Sequence, residues 1–332
     1  MPNTKPRVTA TLRLAAESDL AETDRVIRRA FGTFLGLPDP MQFMGDADYV
    51  RTRWKADPSA LVLAEHDGKL VGANFAINWG SFGFFGPLAV APEYWECGIA
   101  QQLMAPTMEI FRRWGSTHLG LYTFAQSPKH MRLYQKFGFW PRDLIAVMAK
   151  QVAPVDSAKS ANPALFSDAG PAERPALLDA CRKVTSAIFD GLDVSGEITA
   201  VATQQLGDTV LVWDGASGAS GANGSKLAAL AVCHTGPGSE AGTGVCYVKF
   251  AAVRPGSQAA ADFSRLLTAI EAFASSKSLT KIIAGVNLAR RGAFTELYSR
   301  GFRTELQGVA METGSASSGY NRNGVYVLDD WR

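Results

Sequence analysis

The chain sets short apolar strand patterns between longer amphipathic ones, and it does so twice. Thr9–Ala15 alternates like a strand, and Ser18 is placed to cap a helix through Phe31. A second helical stretch is expected around Asp46–Ala56. Leu61–His66 and Leu70–Asn78 read as strands joined at Asp67-Gly68, a hairpin turn. Gly83–Val90 is a third strand bounded by glycines, and an amphipathic helix runs from Gly98 to Trp114. Strand Leu119–Thr123 follows. Pro128 then opens a helix that stops at Gly138, and Ile145–Ala149 is a further strand.

The same order returns after residues 151–163, whose Pro, Ser and Ala content reads as a linker. Helix Pro175–Phe189 is followed by strands Val210–Trp213, Leu227–Cys233 and Val245–Val253. Gly/Ser-rich loops at 214–225 and 235–244, expected to be flexible, separate these strands. Helix Ser257–Ser276, strand Ile282–Val286, helix Arg290–Arg300 and strands near Thr304–Met311 and Val325–Leu328 close the chain. Pro92 precedes Gly138 by 46 residues (138 − 92), and Pro255 precedes Gly301 by 46 (301 − 255). A shift of 163 (301 − 138) also lands Val90 on Val253, Leu103 on Leu266 and Phe139 on Phe302. A repeat this long means two copies of a domain rather than a solenoid. The expected division is 8–150, a linker at 151–163, and 164–332.

Composition narrows the classes. The 332 residues, 47% hydrophobic, can build two cores. A net charge of +2 without a clustered basic run argues against a nucleic-acid partner. No apolar run is long enough to span a bilayer, and MPNTKPRVTA has no signal-like apolar core, so no membrane partner is expected. Cys97, Cys181, Cys233 and Cys246 show no CxxC pairing, which points to a reduced, cytoplasmic setting and to no metal site.

The chemistry concentrates in residues 88–104, LAVAPEYWECGIAQQLM. A strand runs into Pro92, a short loop carries Gly98 and Ala100, and a helix opens directly behind. Small residues admit a close approach, and first-turn N–H groups lie unpaired at the positive end of the helix dipole. This layout suits a pyrophosphate.

These residues resemble the Gcn5-related N-acetyltransferase (GNAT) superfamily. The family loop, Val-x-Pro-x-x-(Gln/Arg)-x-x-Gly-x-(Gly/Ala), reads here as Val90, Pro92, Trp95, Gly98 and Ala100. The later Leu-Tyr-x-x-x-Gly-Phe reads as Leu133, Tyr134, Gly138 and Phe139. The resemblance covers 8–150 well and 165–332 as a degraded copy. It implies an α+β fold: two tandem domains, each a mixed, mostly antiparallel twisted sheet flanked by helices. It implies acetyl-CoA as acyl donor and direct transfer to an amine, with a small-molecule acceptor expected and a monomer or homodimer as the assembly. By resemblance, backbone groups of Leu88, Ala89 and Val90 bind the pantetheine and polarise the thioester. Those of Trp95, Glu96, Cys97, Gly98, Ile99, Ala100 and Gln101 wrap the pyrophosphate. Ser127 stands where relatives bind the pantetheine arm, with helix capping as its rival role. Lys129 and His130 can reach cofactor phosphate, with a solvated helix face as the alternative.

Attack of an amine on a thioester forms an oxyanion and expels a thiolate, so oxyanion donors and an acid for the sulfur are required. Tyr134 stands at the family's acid position, with a buried helix aromatic as the rival reading. A base is not evident. Glu65, Asp46 and Asp48 are candidates, each with a solvated surface role as the rival. Trp95 departs from the family's Gln or Arg and either packs on the cofactor or on its own helix. A shift of 163 maps Gly98 to Ala261, Ala100 to Phe263 and Tyr134 to Leu297, so the second copy is expected to have lost its cofactor site and to serve structure or acceptor shaping. Two rival readings are a non-catalytic acyl-CoA-binding or sensor protein, and activity in the second domain. The aromatic and charged segment 319–332 is either a packed terminal strand or part of the acceptor site.

Overall fold

A computed structural model of the chain describes residues 5–152, 163–214, 226–314 and 319–332. The linker at 151–163 and the loop at 214–225 lie almost wholly outside the described residues. In the first half, strand β1 (Thr11–Leu14) leads through a short 3-10 turn to helix α1 (Leu20–Phe34) and then α2 (Tyr49–Ala56). Ser18 is not the cap: it lies inside the 3-10 turn, where Asp19 accepts the Ala16 N–H at 2.8 Å. Strands β2 (Leu61–His66), β3 (Lys69–Trp79), β4 (Phe82–Phe85) and β5 (Ala89–Val90) follow, then helix α3 (Ile99–Trp114), β6 (His118–Thr123), α4 (Pro128–Gln135) and β7 (Phe139–Gln151).

The second half repeats this order: β8 (Ala164–Leu165), α5 (Arg174–Ser186), α6 (Ser195–Gln204), β9 (Gly207–Trp213), β10 (Leu227–Gly236), β11 (Gly242–Val253), α7 (Ala259–Ser276), β12 (Lys281–Asn287), α8 (Arg291–Ser299), β13 (Arg303–Thr313) and β14 (Val327–Leu328). Helix α6 was not anticipated. The expected loop at 235–244 is not a free loop either, since Ser239 and Glu240 within it are buried.

The strands form one sheet in the order β1-β2-β3-β4-β6-β13-β7-β12-β11-β10-β9-β8, with β5 on β3 and β14 on β11. Its centre is an exchange. Strand β13 of the second half lies beside β6 of the first, and β7 of the first lies beside β12 of the second. The register obeys the repeat: Val309 pairs with Thr123 and Ala146 with Val286, and 309 − 146 and 286 − 123 are both 163. Between β7 and β13, Gly308 pairs with Ile145, and 308 − 145 is again 163, so this pair maps onto itself. A pseudo-two-fold axis passes through it. Gly308 is required there because a Cβ would stand 2.3 Å from the Tyr122 ring.

Candidate functional site

The strand read over Gly83–Val90 is broken at Gly86-Pro87. Parallel pairing of β4 with β6 covers only Phe82–Phe84 against His118–Gly120. The chain then turns through Gly86, at φ +152°, and a cis Gly86-Pro87 peptide before β5 re-pairs with β3. Beyond Phe84 the two strands diverge, and the gap opens between β5 and the end of β6. Ala91 donates its N–H to Val71 of β3 at 2.9 Å. Strand alternation therefore turns the N–H and C=O of Leu88 and Val90 away from β3, towards the gap side.

Trp95 finds its role here. Its indole N–H donates to the Val90 carbonyl at 2.7 Å. This bond ties the end of the broken strand to the loop beneath it, and the ring carries the Lys129 ammonium 5.4 Å from its centroid. Gly98, at φ +85°, forms the N-terminal boundary of α3. A side chain there would be strained, and its Cβ would lie 3.1 Å from Arg7 Nε. The first-turn N–H groups of Ile99, Ala100 and Gln101 have no intrahelical acceptor. The segment before β1 is laid along this helix by Val8 N–H to Cys97 O at 3.0 Å and by Gln102 to Val8 O at 2.7 Å. It thereby sets Arg7 against the loop.

A cavity of about 860 Å³ joins these parts. At one end lie Leu88, Ala89, Val90, Trp95, Glu96, Gly98, Ile99, Ala100 and Gln101, with Lys5, Arg7, Lys129 and Lys136 supplying positive charge. Tyr134 lines it farther along, its hydroxyl bonded to the Thr123 side chain and its ring 5.5 Å from that of Phe85. Burial pushes the Tyr134 phenol well above its usual value, and the Thr123 bond opposes this only in part, so the proton stays on. The far end is apolar and aromatic, built by α1 and the segment after it, β6 and the tail: Phe31, Phe34, Phe43, Phe124 and Trp331.

Two of the expected site residues fall outside the cavity wall, and a third lines it with a different environment from the one expected. Cys97 is buried behind the loop, its Sγ 3.7 Å from the Trp95 carbonyl oxygen, and does not line the cavity. Ser127 is buried beside the cavity and not among its walls, and its hydroxyl makes no capping bond to α4. His130 does line the cavity, but its ring packs against Phe34, with centroids 5.0 Å apart. Burial, reinforced by Lys129, lowers its pKa, so it is a neutral ring in an aromatic cluster and not a cation for phosphate. The base candidates are also placed elsewhere: Glu65 pairs with Arg13, Asp46 accepts from Thr243, and Asp48 caps α2.

Sequence reasoning missed the residues that shape the aromatic end. Arg28, on α1, donates to the carbonyls of Phe43, Gly45 and Ala47 and so holds the segment carrying Phe43. Arg53, on α2, is buried. It donates to Gly86 O at 2.6 Å and to Arg332 O at 2.5 Å, and it grips Glu240 of the second half at 2.9 and 2.8 Å. Glu240 also takes Lys249 at 2.6 Å, and Lys249 reaches Glu197 at 3.2 Å. Burial disfavours the charged form of Glu240, but Arg53 and Lys249 outweigh it and hold the carboxyl below the usual range.

The tail includes a packed terminal strand, β14 pairing with β11, and Trp331 and Arg332 enter the cavity wall. Asp329 and Asp330 anchor it. Asp329 pairs with the buried Arg290 at 2.8 Å and accepts the Trp331 N–H at 3.1 Å, while Asp330 accepts from the Tyr247 hydroxyl at 2.8 Å. In the second half the corresponding space is filled. Phe263 is fully buried and faces Tyr326 at 5.1 Å, and Leu297 sits in the core where the first half has Tyr134.

Among the described residues, no group of His, Cys, Asp and Glu could hold a metal ion, and no helix is long and apolar enough to cross a membrane.

Residues 28–139 match the sequence model of the acetyltransferase (GNAT) family. Among solved structures, one from Pyrococcus horikoshii assigned to the acetyltransferases is 14% identical, covers 96% of this chain and 93% of its own, and superposes with a TM-score of 0.64. A GCN5-related N-acetyltransferase from Sphaerobacter thermophilus is 14% identical, with 95% and 99% covered and a TM-score of 0.57. One from Anabaena variabilis is 12% identical, with 92% and 72% covered and a TM-score of 0.52. At these identities the likeness is one of fold, and it extends over both halves. No curated protein matched the chain.

Proposed function

We propose, from the premise that residues 28–139 belong to the acetyltransferase (GNAT) family, that this chain transfers the acetyl group of acetyl-CoA directly to the amine of a small molecule, in the first half alone. One observation carries the reading: the first-turn N–H groups of α3, the broken strand at Gly86–Val90 and the Tyr134 side chain all face one cavity.

The parts divide the work by position. The loop 95–101 and the cations Lys5, Arg7, Lys129 and Lys136 suit the phosphates, since amide donors and positive charge converge there. The gap beside β5 suits the pantetheine, which would complete the broken edge as a strand does. Val90 N–H then stands available for the thioester carbonyl, and a donor fixed in advance stabilises charge that develops only in the transition state. Tyr134 is the acid for the departing sulfur, because its phenol remains protonated and lies in the same wall. Trp95, pinned to Val90, serves the loop's shape, so its departure from the family's Gln or Arg leaves the amide cradle intact. The second half contributes β13 and the tail to the site, and its own counterpart is filled by Phe263 and Tyr326.

The test is acetyl-CoA turnover with an amine panel, followed as thiol release. Tyr134→Phe is expected to lower kcat on the order of a hundredfold or more while leaving acetyl-CoA binding within about twofold. Binding without transfer to any amine would move the reading to a CoA-binding protein. An unaltered kcat in Tyr134→Phe would remove the tyrosine from the mechanism.

A further inference from the structure

We infer that the acceptor is an aromatic amine that is already uncharged at neutral pH, an arylamine or aryl hydrazide, rather than an alkylamine. This rests on the acyl-transfer reading above and names the substrate class of that same site.

The far end of the cavity is built of rings. Phe31 and Phe43 stack with centroids 5.3 Å apart and planes within 7°. Phe34 meets Phe124 at 4.9 Å and His130 at 5.0 Å, and Phe124 meets Tyr122 at 6.5 Å. These side chains reach one wall from α1, the segment after α1, β6 and α4, and Arg28 clamps the carbonyls that present Phe43. A flat apolar body laid against that wall gains offset and edge contacts with its rings.

The charge in the wall points the same way. Lys5, Arg7, Lys129, Lys136 and Arg332 line the cavity, and Glu96 is the one carboxylate among its described lining residues. Glu96 belongs to the phosphate loop, not to the aromatic end. Arg332 belongs to the aromatic end, with Asp330 held against it at 2.8 Å. An alkylammonium entering the aromatic end would meet the Arg332–Asp330 pair, whose carboxylate is already taken, and no carboxylate side chain in the lining there to receive it. It would also need a base to shed its proton before it could attack. An arylamine needs neither, because delocalisation into the ring keeps its nitrogen unprotonated at neutral pH. Its lone pair attacks the thioester carbonyl carbon, the tetrahedral intermediate collapses with cleavage of the C–S bond, and one N–H proton passes to the thiolate through Tyr134. The products are an N-acetyl arylamine and CoA.

The experiment compares 4-methylaniline with 2-phenylethylamine as acceptors for the full chain and acetyl-CoA, across about pH 6 to 9. The inference expects kcat/KM for 4-methylaniline to be flat over that span and, at pH 7, at least about tenfold above that for 2-phenylethylamine, whose rate climbs about tenfold per pH unit as its amine deprotonates. Phe34→Ala is expected to raise KM for 4-methylaniline roughly tenfold, with kcat and KM for acetyl-CoA within about twofold. A higher kcat/KM for 2-phenylethylamine at pH 7, acetylation of neither amine by a protein that binds acetyl-CoA, or an unchanged arylamine KM in Phe34→Ala each overturns the inference. Transfer to alkylamines alone overturns it while the acetyltransferase reading stands. Failure to bind acetyl-CoA at all sinks that broader reading instead.

Discussion

Replacing Arg53 with Met should unsettle both halves at once. The guanidinium is buried and makes four bonds: two to Glu240, one to Gly86 O and one to Arg332 O. Methionine keeps most of the apolar volume and makes none of them. Glu240 would retain Lys249 but lose the partner that fixes both of its oxygens. Removing one member of a buried ion pair costs about 3–5 kcal/mol, chiefly because the remaining charge is left under-compensated. Unfolding entropy of about 2.1 cal/mol/K per residue gives about 0.7 kcal/mol/K for 332 residues, so the melting temperature should fall by about 4–7 °C. Glu240→Gln added to Arg53→Met should recover part of this, because the orphaned charge is gone, and the double-mutant cycle should therefore be clearly non-additive. The assay is scanning calorimetry of the four proteins at pH 7, with acetyl-CoA turnover alongside. Turnover should fall with stability, since Gly86 sits at the break that forms the cavity wall. A shift under about 2 °C with unchanged turnover, or strict additivity in the cycle, would refute the reasoning.

Other outcomes follow from single residues. Gly98→Glu places a strained residue at φ +85° and a carboxylate before the phosphate cradle; calorimetric titration should find acetyl-CoA affinity lost by at least about a hundredfold, and near wild-type affinity would remove the loop from the site. His234 is buried, and burial, with Lys249 adding to it and Glu240 opposing it, lowers its pKa from 6.5 to about 4. The unfolded chain therefore holds the extra proton between these values, so stability is full above about 6.5 and falls as the pH drops towards 4, by up to about 3 kcal/mol. Urea unfolding at intervals between pH 7 and 5 should show that slope, and His234→Gln should flatten it. A slope unchanged by the substitution would assign it to other groups.

Much of the fold was legible because local signals and tertiary demands agree. The 163-residue shift read from Pro92, Gly138, Pro255 and Gly301 reappears in the pairing of β6 with β13 and of β7 with β12. The exchange itself was not legible. Period-two alternation in β7 and β13 says which face each residue takes, not which strand lies alongside. The break after Phe85 was signalled by Gly86-Pro87, although those residues alone do not say between which strands the gap opens. The loop before α3 was readable from the small side chains Gly98 and Ala100 ahead of a helix, and both line the cavity. Arg28 and Arg53 were not readable, because an arginine on a helix looks the same in sequence whether it meets water or buried carbonyls and carboxylates. Glu240 was misread with its loop, since glycine and serine around it suggest mobility while Arg53 and Lys249, far away in sequence, fix it.

The self-paired Gly308 and Ile145 make the chain equivalent to a two-fold dimer with its subunits joined in one polypeptide. Such a joining separates two duties that identical subunits must share. What the first half takes from the second is a strand, β13, and an anchored tail. Neither depends on the second half's own helix start, where Phe263 now fills the space. On the proposed reading, sequence change at that helix start is released from the chemistry, whereas change along β13 is felt at once by the neighbouring Tyr122 and the cavity wall. The symmetry survives in the sheet and lapses at the helix starts, where Phe263 stands in the place of Ala100.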